Sequence, residues 1–174
     1  DGLDDPQSWD EVVNPIGRDK TEEKKIFSLI PGSFGGTLSW LSMDSTDDEQ
    51  TDGQGALATI RMLEEHAKRE GGDEPFFIAY GLYRPHTPFV APKKYFDLYP
   101  VDEMPIWNGT QVREPKAAFL KAKSEQETMT DLQRQEAKQA YFASTSFMDA
   151  QVGRVLDALD RLGYAENTIV VFVS

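Results

Sequence analysis

The sequence predicts an α/β fold in which helices flank a mainly parallel sheet. Residues 76–80 form a continuous apolar run between Pro75 and Gly81, which is typical of a strand buried on both faces. Helical spacing precedes this run, and a second helical pattern leads into the β-branched run 168–173. Alternating helices and strands favour a parallel sheet, and 174 residues are enough for one domain with its own core.

Composition and charge exclude several classes of protein. The formal charge of −12 argues against nucleic acid and anionic membrane surfaces as partners, because both repel an acidic protein. No apolar run approaches the roughly 20 residues that cross a bilayer. Cysteine is absent, which excludes disulfides, thiolate metal sites and a thiol nucleophile. These properties predict a globular protein without a nucleic-acid or membrane partner, and they leave its compartment open.

Residues 1–50 are predicted to be a loop-rich segment with short strands, since prolines and glycines interrupt any period. A coil of this length is unusual in a compact domain and suggests that it lies over a surface of a larger protein. The acidic run 44–52 fails as an EF-hand starting at Asp48, because Thr59 stands where a bidentate Glu is required. We interpret the run as a solvated linker in which Asp52 caps the following helix.

Residues 51–100 are predicted to contain a helix, a strand and a histidine motif. The helix begins near Gln54 and ends at Gly71-Gly72. Its apolar face is formed by Ala56, Leu57, Ile60, Leu63 and Ala67. His66 lies on the polar side near the helix C-terminus, where an imidazolium is mildly favourable. We therefore predict that His66 is a solvated surface residue without a function.

Residues 101–129 are predicted to be a loop-rich excursion, and residues 130–174 a long helix and a strand. Thr130 and Gln133 have capping-box spacing, which places the helix start there, and Gly163 supplies the stop. The predicted core face of the helix consists of Tyr141, Ser144, Met148, Val152, Val155, Leu159 and Leu162. Because a helix of this length is above the usual range, residues 144–146 are a candidate kink or division.

Arg84 and His86 are the candidate functional residues, because they come directly after the predicted central strand. Ligands and catalytic groups in parallel α/β sheets lie just past the carboxyl ends of strands. Pro85 and Pro88 restrict the backbone around His86, and a guanidinium and an imidazole held there suit an oxyanion and ester cleavage. The alternative is a buried, hydrogen-bonded His86 and a surface ion pair of Arg84. Spacing alone names no reaction, since no second histidine or cysteine converges on His86.

At these residues the sequence resembles the sulfatase family, and within it the iduronate-2-sulfatase-like enzymes. The matching positions of a first block are 75–81, Arg84-Pro85-His86-Thr87-Pro88-Phe89, 92–96 and 98–100. Those of a second block are 141–144, 146–153, Leu156, Leu159 and 168–174. The resemblance implies an alkaline-phosphatase-like three-layer α/β fold that is incomplete here, so that residues 1–174 are an internal portion of a single catalytic domain. It also implies hydrolysis of sulfate esters, with a sulfated small molecule or glycan as substrate and the rest of the catalytic domain as partner.

The resemblance also assigns site residues. His86 is carried over as a catalytic residue that contacts the sulfate or the scissile ester oxygen. Arg84 is carried over as a sulfate-binding cation at a position where iduronate 2-sulfatases have lysine. Calcium and a formylglycine made from a Cys/Ser-x-Pro-x-Arg motif are expected in the intact family member. That motif does not occur in this sequence, and no residue is assigned as a metal ligand.

Two other functions stay open beside sulfate ester hydrolysis. The first is a phosphomonoester or phosphonate hydrolase of the same superfamily, which uses the same scaffold. The second is a non-catalytic fragment or scaffold, and the isolated chain is expected to be inactive because the nucleophile motif is absent.

If the protein is like its family, its location is the periplasm, the outside of the cell or the lysosome.

Overall fold

The computed structural model describes residues 4–5, 7–69, 74–106 and 123–173. Its sheet has three strands in the order β1 (Phe27–Ser28), β2 (Ser39–Met43) and β3 (Phe89–Pro92). β1 pairs antiparallel with β2, and β2 pairs parallel with β3 from Trp40 opposite Phe89 to Met43 opposite Pro92. The predicted α/β class is confirmed, although the described sheet is mixed rather than mainly parallel.

Five α-helices surround this sheet in the described ranges. They are α1 (Arg18–Thr21), α2 (Thr51–Ala67), α3 (Lys93–Phe96), α4 (Ser124–Glu127) and α5 (Asp131–Arg161). Short 3-10 helices occupy Glu23–Lys25, Val101–Glu103 and Ala165–Asn167. None of the helices in these ranges is both long and apolar enough to cross a membrane.

The start and end of α5 follow the local signals in the sequence. Thr130 accepts a hydrogen bond from the backbone of Gln133, and the Gln133 side chain accepts one from the backbone of Thr130, at 3.2 and 2.9 Å. Gly163 has a φ of 76°, which suits a residue directly after a helix end. The predicted capping box and stop are therefore confirmed. The helix is continuous through residues 144–146, so the candidate division is not observed.

The main core lies between α5 and the sheet. Ser144 and Leu159 of the predicted stripe are buried as expected, but most of the buried positions of α5 are others. Small residues of α5, together with the ring of Phe147 from the same helix, pack against β2, β3 and α3. The buried residues of this cluster include Ala137, Ala140, Ala143, Phe147, Trp40, Phe89, Tyr95 and Phe96. Tyr141, which the sequence placed in the core, is 44% exposed. Alanines spaced three residues apart allow the helix backbone to approach the sheet closely, and this close packing decides which face is buried.

A smaller core joins α2 to the end of α5. Leu63 of α2 packs against Ala158 and Leu159 of α5. The prediction that His66 is a solvated surface residue is wrong, because its side chain is only 7% exposed and its ring lies 5.1 Å from the ring of Phe76. The rings of Phe76 and Tyr164 cover this side of α2, and helical spacing alone does not reveal these contacts. The predicted stop at Gly71-Gly72 lies outside the described residues.

The two runs predicted as strands have no strand partner in the described part of the chain. Residues 76–80 and 168–173 are assigned to no strand. The prediction of a doubly buried strand at 76–80 is corrected by Phe77, which is 81% exposed, and Ile169 in the second run is 91% exposed. An apolar run specifies only that its side chains favour burial. A strand also needs a neighbouring strand, and the parallel pair of this sheet is instead made by β2 and β3.

Candidate functional site

The candidate site is the loop 81–88 that leads into β3, and we call it the His86 loop. Sequence analysis placed this loop at the carboxyl edge of a central strand. In the structure it lies at the amino end of β3, next to the beginning of β2. Thr87 fixes the loop to residues before β2, because its hydroxyl donates to the carbonyl of Gly35 over 3.0 Å. The loop is therefore attached to the sheet through β3 and through the segment that enters β2.

The imidazole of His86 is exposed, and one of its ring nitrogens is already engaged. Nδ1 lies 2.7 Å from the carbonyl oxygen of Thr87. A carbonyl oxygen can only accept a hydrogen bond, so Nδ1 carries a proton and Nε2 is the nitrogen that can meet a ligand. The backbone N–H of His86 donates to Tyr83 over 2.9 Å, which closes a turn. His86 is therefore not the buried, hydrogen-bonded histidine of the alternative. Its catalytic role stays a prediction.

The guanidinium of Arg84 lies inside the protein, where it is 4% exposed. Nη2 forms an ion pair with Asp19 over 2.8 Å, and Nε donates to the carbonyl of Val90 over 2.9 Å. Burial lowers the pKa of this guanidinium, and the charges of Asp19 and Asp52 oppose that effect. Arg84 is thus an ion-pair partner, as the alternative expected, but a buried one. Its fork is not open to solvent, and its predicted contact with sulfate stays untested.

Asp52 holds the backbone of the His86 loop through two hydrogen bonds. Its carboxylate is 3% exposed, and its two oxygens accept hydrogen bonds from the backbone N–H groups of Tyr83 and Arg84 over 2.9 and 3.0 Å. Burial raises the pKa of Asp52, and the two N–H donors and the charge of Arg84 only partly oppose this. The prediction that Asp52 caps α2 is wrong, since the N-cap is Gln50 and Asp52 lies in the first turn.

Asp19 is the second buried carboxylate of the site, and sequence analysis missed it. It is 3% exposed, and one of its oxygens accepts from the backbone N–H and the hydroxyl of Thr51 over 2.8 and 2.6 Å. Its other oxygen pairs with Arg84. Gly17 permits this close contact, because a Cβ at that position would lie 2.2 Å from the backbone nitrogen of Thr51. A lone aspartate in a loop-rich segment carries no signal for such a partner.

A second network surrounds Asp47, so the interpretation of 44–52 as a solvated linker is corrected here too. Asp47 accepts hydrogen bonds from Tyr95 over 2.8 Å and from Gln151 over 3.2 Å, and it pairs with Lys94 over 2.8 Å. Partial burial raises the pKa of Asp47, but these three donors outweigh it and leave the pKa below its ordinary value. The network joins the acidic run to α3 and α5.

The described ranges do not present a set of metal ligands. No group of three or more His, Cys, Asp or Glu side chains in them is placed to hold a metal ion. Asp19 and Asp52 are close to one cation, but that cation is the guanidinium of Arg84. What this arrangement can do is to hold one exposed imidazole on a loop that is anchored by buried charges.

Comparison with known proteins adds a family to this geometry. Residues 16–174 match the family described as Sulfatase. An iduronate 2-sulfatase of Mus musculus is 36% identical over 140 aligned positions, which cover 71% of this chain and 25% of that protein. An iduronate 2-sulfatase of Homo sapiens is 33% identical over 190 positions, which cover 98% and 34%. A sulfatase of Formosa agariphila is 32% identical over 152 positions, covering 82% and 29%. The chain spans about a quarter to a third of the length of these relatives.

Proposed function

Because this chain belongs to the sulfatase family, we propose that it is part of a catalytic domain that hydrolyses sulfate esters. We infer that the substrate is a sulfated small molecule or glycan, as the names of the iduronate 2-sulfatase relatives suggest for those proteins. The observation that carries the proposal is that the family match runs through the His86 loop, where an imidazole is exposed on an anchored backbone. The residues that follow are assigned their roles on that basis.

His86 is proposed to act as a hydrogen-bond donor to the sulfate or to the leaving ester oxygen. Both of these oxygens accept hydrogen bonds, so the ring must present a proton on Nε2. Nδ1 already donates to Thr87, and an imidazole carries protons on both nitrogens only as the imidazolium. The proposed role therefore requires the charged form. Protonation of the leaving oxygen by such a group typically contributes about 10²- to 10⁴-fold to a rate.

Arg84 is proposed to position the loop rather than to touch the sulfate. A direct contact would require its buried ion pair with Asp19 to open. Breaking a buried pair by removing one partner costs about 3–5 kcal/mol, which a single new contact with sulfate does not offset. The cation at this position of the motif is then retained for its ion pair with Asp19 and its bond to Val90.

Calcium and formylglycine belong to the proposal through the family and not through the described side chains. In the intact family member, the ion would stabilise negative charge on the sulfate, and the modified residue would supply the nucleophile. The described residues do not fit either group, because they contain no cluster of three possible ligands and the sequence contains no cysteine and no Cys/Ser-x-Pro-x-Arg motif. Every step derived for this chain therefore concerns His86 and its loop.

The test is an assay of the complete catalytic domain on paired esters of one alcohol. We expect 4-nitrophenyl sulfate to be hydrolysed faster than 4-nitrophenyl phosphate. Equal or faster hydrolysis of the phosphate favours a phosphomonoester hydrolase and overturns the proposal.

The isolated 174-residue chain provides the complementary test. With calcium and a chromogenic sulfate ester it is expected to give no turnover above buffer, because the sequence contains no motif for the nucleophile. Saturable hydrolysis by this chain contradicts the assignment of the nucleophile to another segment.

A further inference from the structure

Three charged side chains are buried in or next to the His86 loop. Asp19, Asp52 and Arg84 are 3%, 3% and 4% exposed, and together they carry one more negative than positive charge. They come from α1, from the first turn of α2 and from the loop itself. Replacing such buried charges with apolar groups is often neutral or favourable for stability. Their presence therefore calls for a reason other than the stability of the fold.

The titration of Asp52 supports this argument. Burial raises its pKa above the ordinary carboxyl value, so the ionised form is less favourable in the folded protein than in the unfolded chain. A raised pKa means that the stabilising contribution is present at pH values below the unfolded pKa and is lost as pH rises through the folded pKa. At neutral pH the ionised carboxylate thus reduces stability. In exchange for this loss of stability, the ionised carboxylate makes two hydrogen bonds to the backbone of the loop.

The contacts show how the loop is held on both sides of His86. On one side, Asp52 accepts the consecutive backbone N–H groups of Tyr83 and Arg84, and the carbonyl of Tyr83 accepts the N–H of His86. On the C-terminal side of His86, the Arg84 side chain donates a hydrogen bond to the carbonyl of Val90. The pair with Asp19 holds the guanidinium in that place.

We propose that Asp52 is a positioning residue for His86, and that the buried pair of Asp19 and Arg84 completes this anchor. The inference rests on the proposed function, because it assumes that the imidazole donates a proton to the leaving ester oxygen. A carboxylate suits the task because each of its oxygens accepts one N–H group of a rigid pair. Asparagine keeps only one such acceptor and turns an NH₂ group towards the second N–H. Asp52→Asn therefore releases one end of the loop without changing the size of the side chain.

The chemistry of the leaving group separates a positioning role from a general loss of structure. An alkyl sulfate has a poor leaving group and needs a proton from His86. The 4-nitrophenolate of 4-nitrophenyl sulfate leaves without one. Displacing the imidazole therefore lowers kcat for the alkyl ester and has little effect on kcat for the aryl ester. A loss of folded protein lowers both rates equally and leaves their ratio unchanged. A displacement of about 1 Å is enough for a loss on the order of 100-fold.

The experiment compares Asp52→Asn, His86→Ala and the double variant in the complete catalytic domain on both esters. Asp52→Asn is expected to lower the alkyl-to-aryl ratio of kcat by about 10- to 100-fold. The double variant is expected to match His86→Ala alone, since the anchor has no purpose without the imidazole. Asp44→Asn is the matched control, because Asp44 lies in the same acidic run but is exposed, and it is expected to leave the ratio unchanged.

The outcomes distinguish this inference from the proposed function. If His86→Ala leaves the ratio unchanged, donation from His86 to the leaving ester oxygen fails, and with it the purpose proposed for the anchor. If His86→Ala lowers the ratio but Asp52→Asn does not, or if the two effects multiply in the double variant, only the positioning inference is overturned. Asp19→Asn tests the same anchor if Asp52→Asn does not fold, because it keeps the acceptor for Thr51 and removes the charge from Arg84. An unchanged ratio in a folded Asp19→Asn protein also overturns the inference.

Discussion

Asp47 and Asp52 are five positions apart in one acidic run, yet the structure uses them in opposite ways. Asp47 is a partly buried acceptor for Tyr95, Gln151 and Lys94, and these donors lower its pKa. Asp52 is almost fully buried, and its pKa is raised although it accepts two N–H groups. The first carboxylate stabilises the packing of helices, and the second reduces stability while it holds a loop. Equal residue type and nearly equal position therefore do not imply an equal role.

Removing the cation of the His86 loop is expected to have the largest effect on stability. Arg84→Met leaves Asp19 and Asp52 buried without their counter-charge, which should reduce the free energy of unfolding by about 3–5 kcal/mol. Urea unfolding of the chain measures this loss. Arg61→Met is the control, because Arg61 is 43% exposed and its pairs with Glu11 and Glu65 contribute at most about 1 kcal/mol. Equal losses in both variants contradict a buried anchor.

The Asp47 network is expected to contribute less to stability than Arg84 but clearly more than a surface pair. Asp47→Asn removes the charge opposite Lys94 and one acceptor oxygen, so the free energy of unfolding should fall by about 1–3 kcal/mol. Asp48→Asn provides the control, since Asp48 is 54% exposed and pairs only with the partly exposed Arg154 in the described ranges. Urea titrations of both variants decide the matter. A loss in Asp48→Asn as large as that in Asp47→Asn shows that burial is not the reason.

The two carboxylates should also respond to acid with opposite signs. The lowered pKa of Asp47 gives stability that is present above the ordinary carboxyl value of 3.8 and is lost as pH falls through the folded pKa. The raised pKa of Asp52 gives stability that is present below 3.8 and is lost as pH rises through the folded pKa. On acidification, the stability gap between wild type and Asp47→Asn should shrink, and the gap to Asp52→Asn should grow. Unfolding titrations at several acidic pH values measure both gaps, and parallel changes contradict the assignment.

His86 is expected to have the smallest effect on stability and a large effect on rate. His86→Ala should change the free energy of unfolding by less than about 0.5 kcal/mol, because the side chain is exposed. Hydrolysis of an alkyl sulfate by the complete domain should fall by about 10²- to 10⁴-fold. An unchanged rate for the alkyl sulfate in the folded His86→Ala domain contradicts the proposed role of His86.

The elements that were predicted well are those with local signals. The start of α5 follows from Thr130 and Gln133, and its end from Gly163, because these residues act within one turn of the helix. The strand β2 lies in the segment predicted to be loop-rich with short strands, but its position and partners were not predicted. Only its pairing with β3, almost 50 positions later, makes it the centre of the sheet. A strand that depends on a distant partner carries little information in its own residues.

The candidate site divides in the same way. His86 could be singled out from a short motif, whereas the roles of Arg84 and Asp52 could not. Arg84 faces Asp19 across 65 positions and Asp52 faces the loop across about 30, and no periodicity in the sequence links them. The sequence therefore suggested that Arg84 is an open fork for an anion, and the structure shows a buried ion pair.

By itself, the sequence determined the α/β class, the long capped helix and the position of the histidine motif, because helix signals and family motifs are short. The tertiary structure decided which acidic residues are buried, which face of α5 meets the sheet and where the guanidinium of Arg84 lies. The physical reason is that the energy of a buried charge depends on the partner beside it. That partner is brought there by the fold and not by the spacing of residues along the chain.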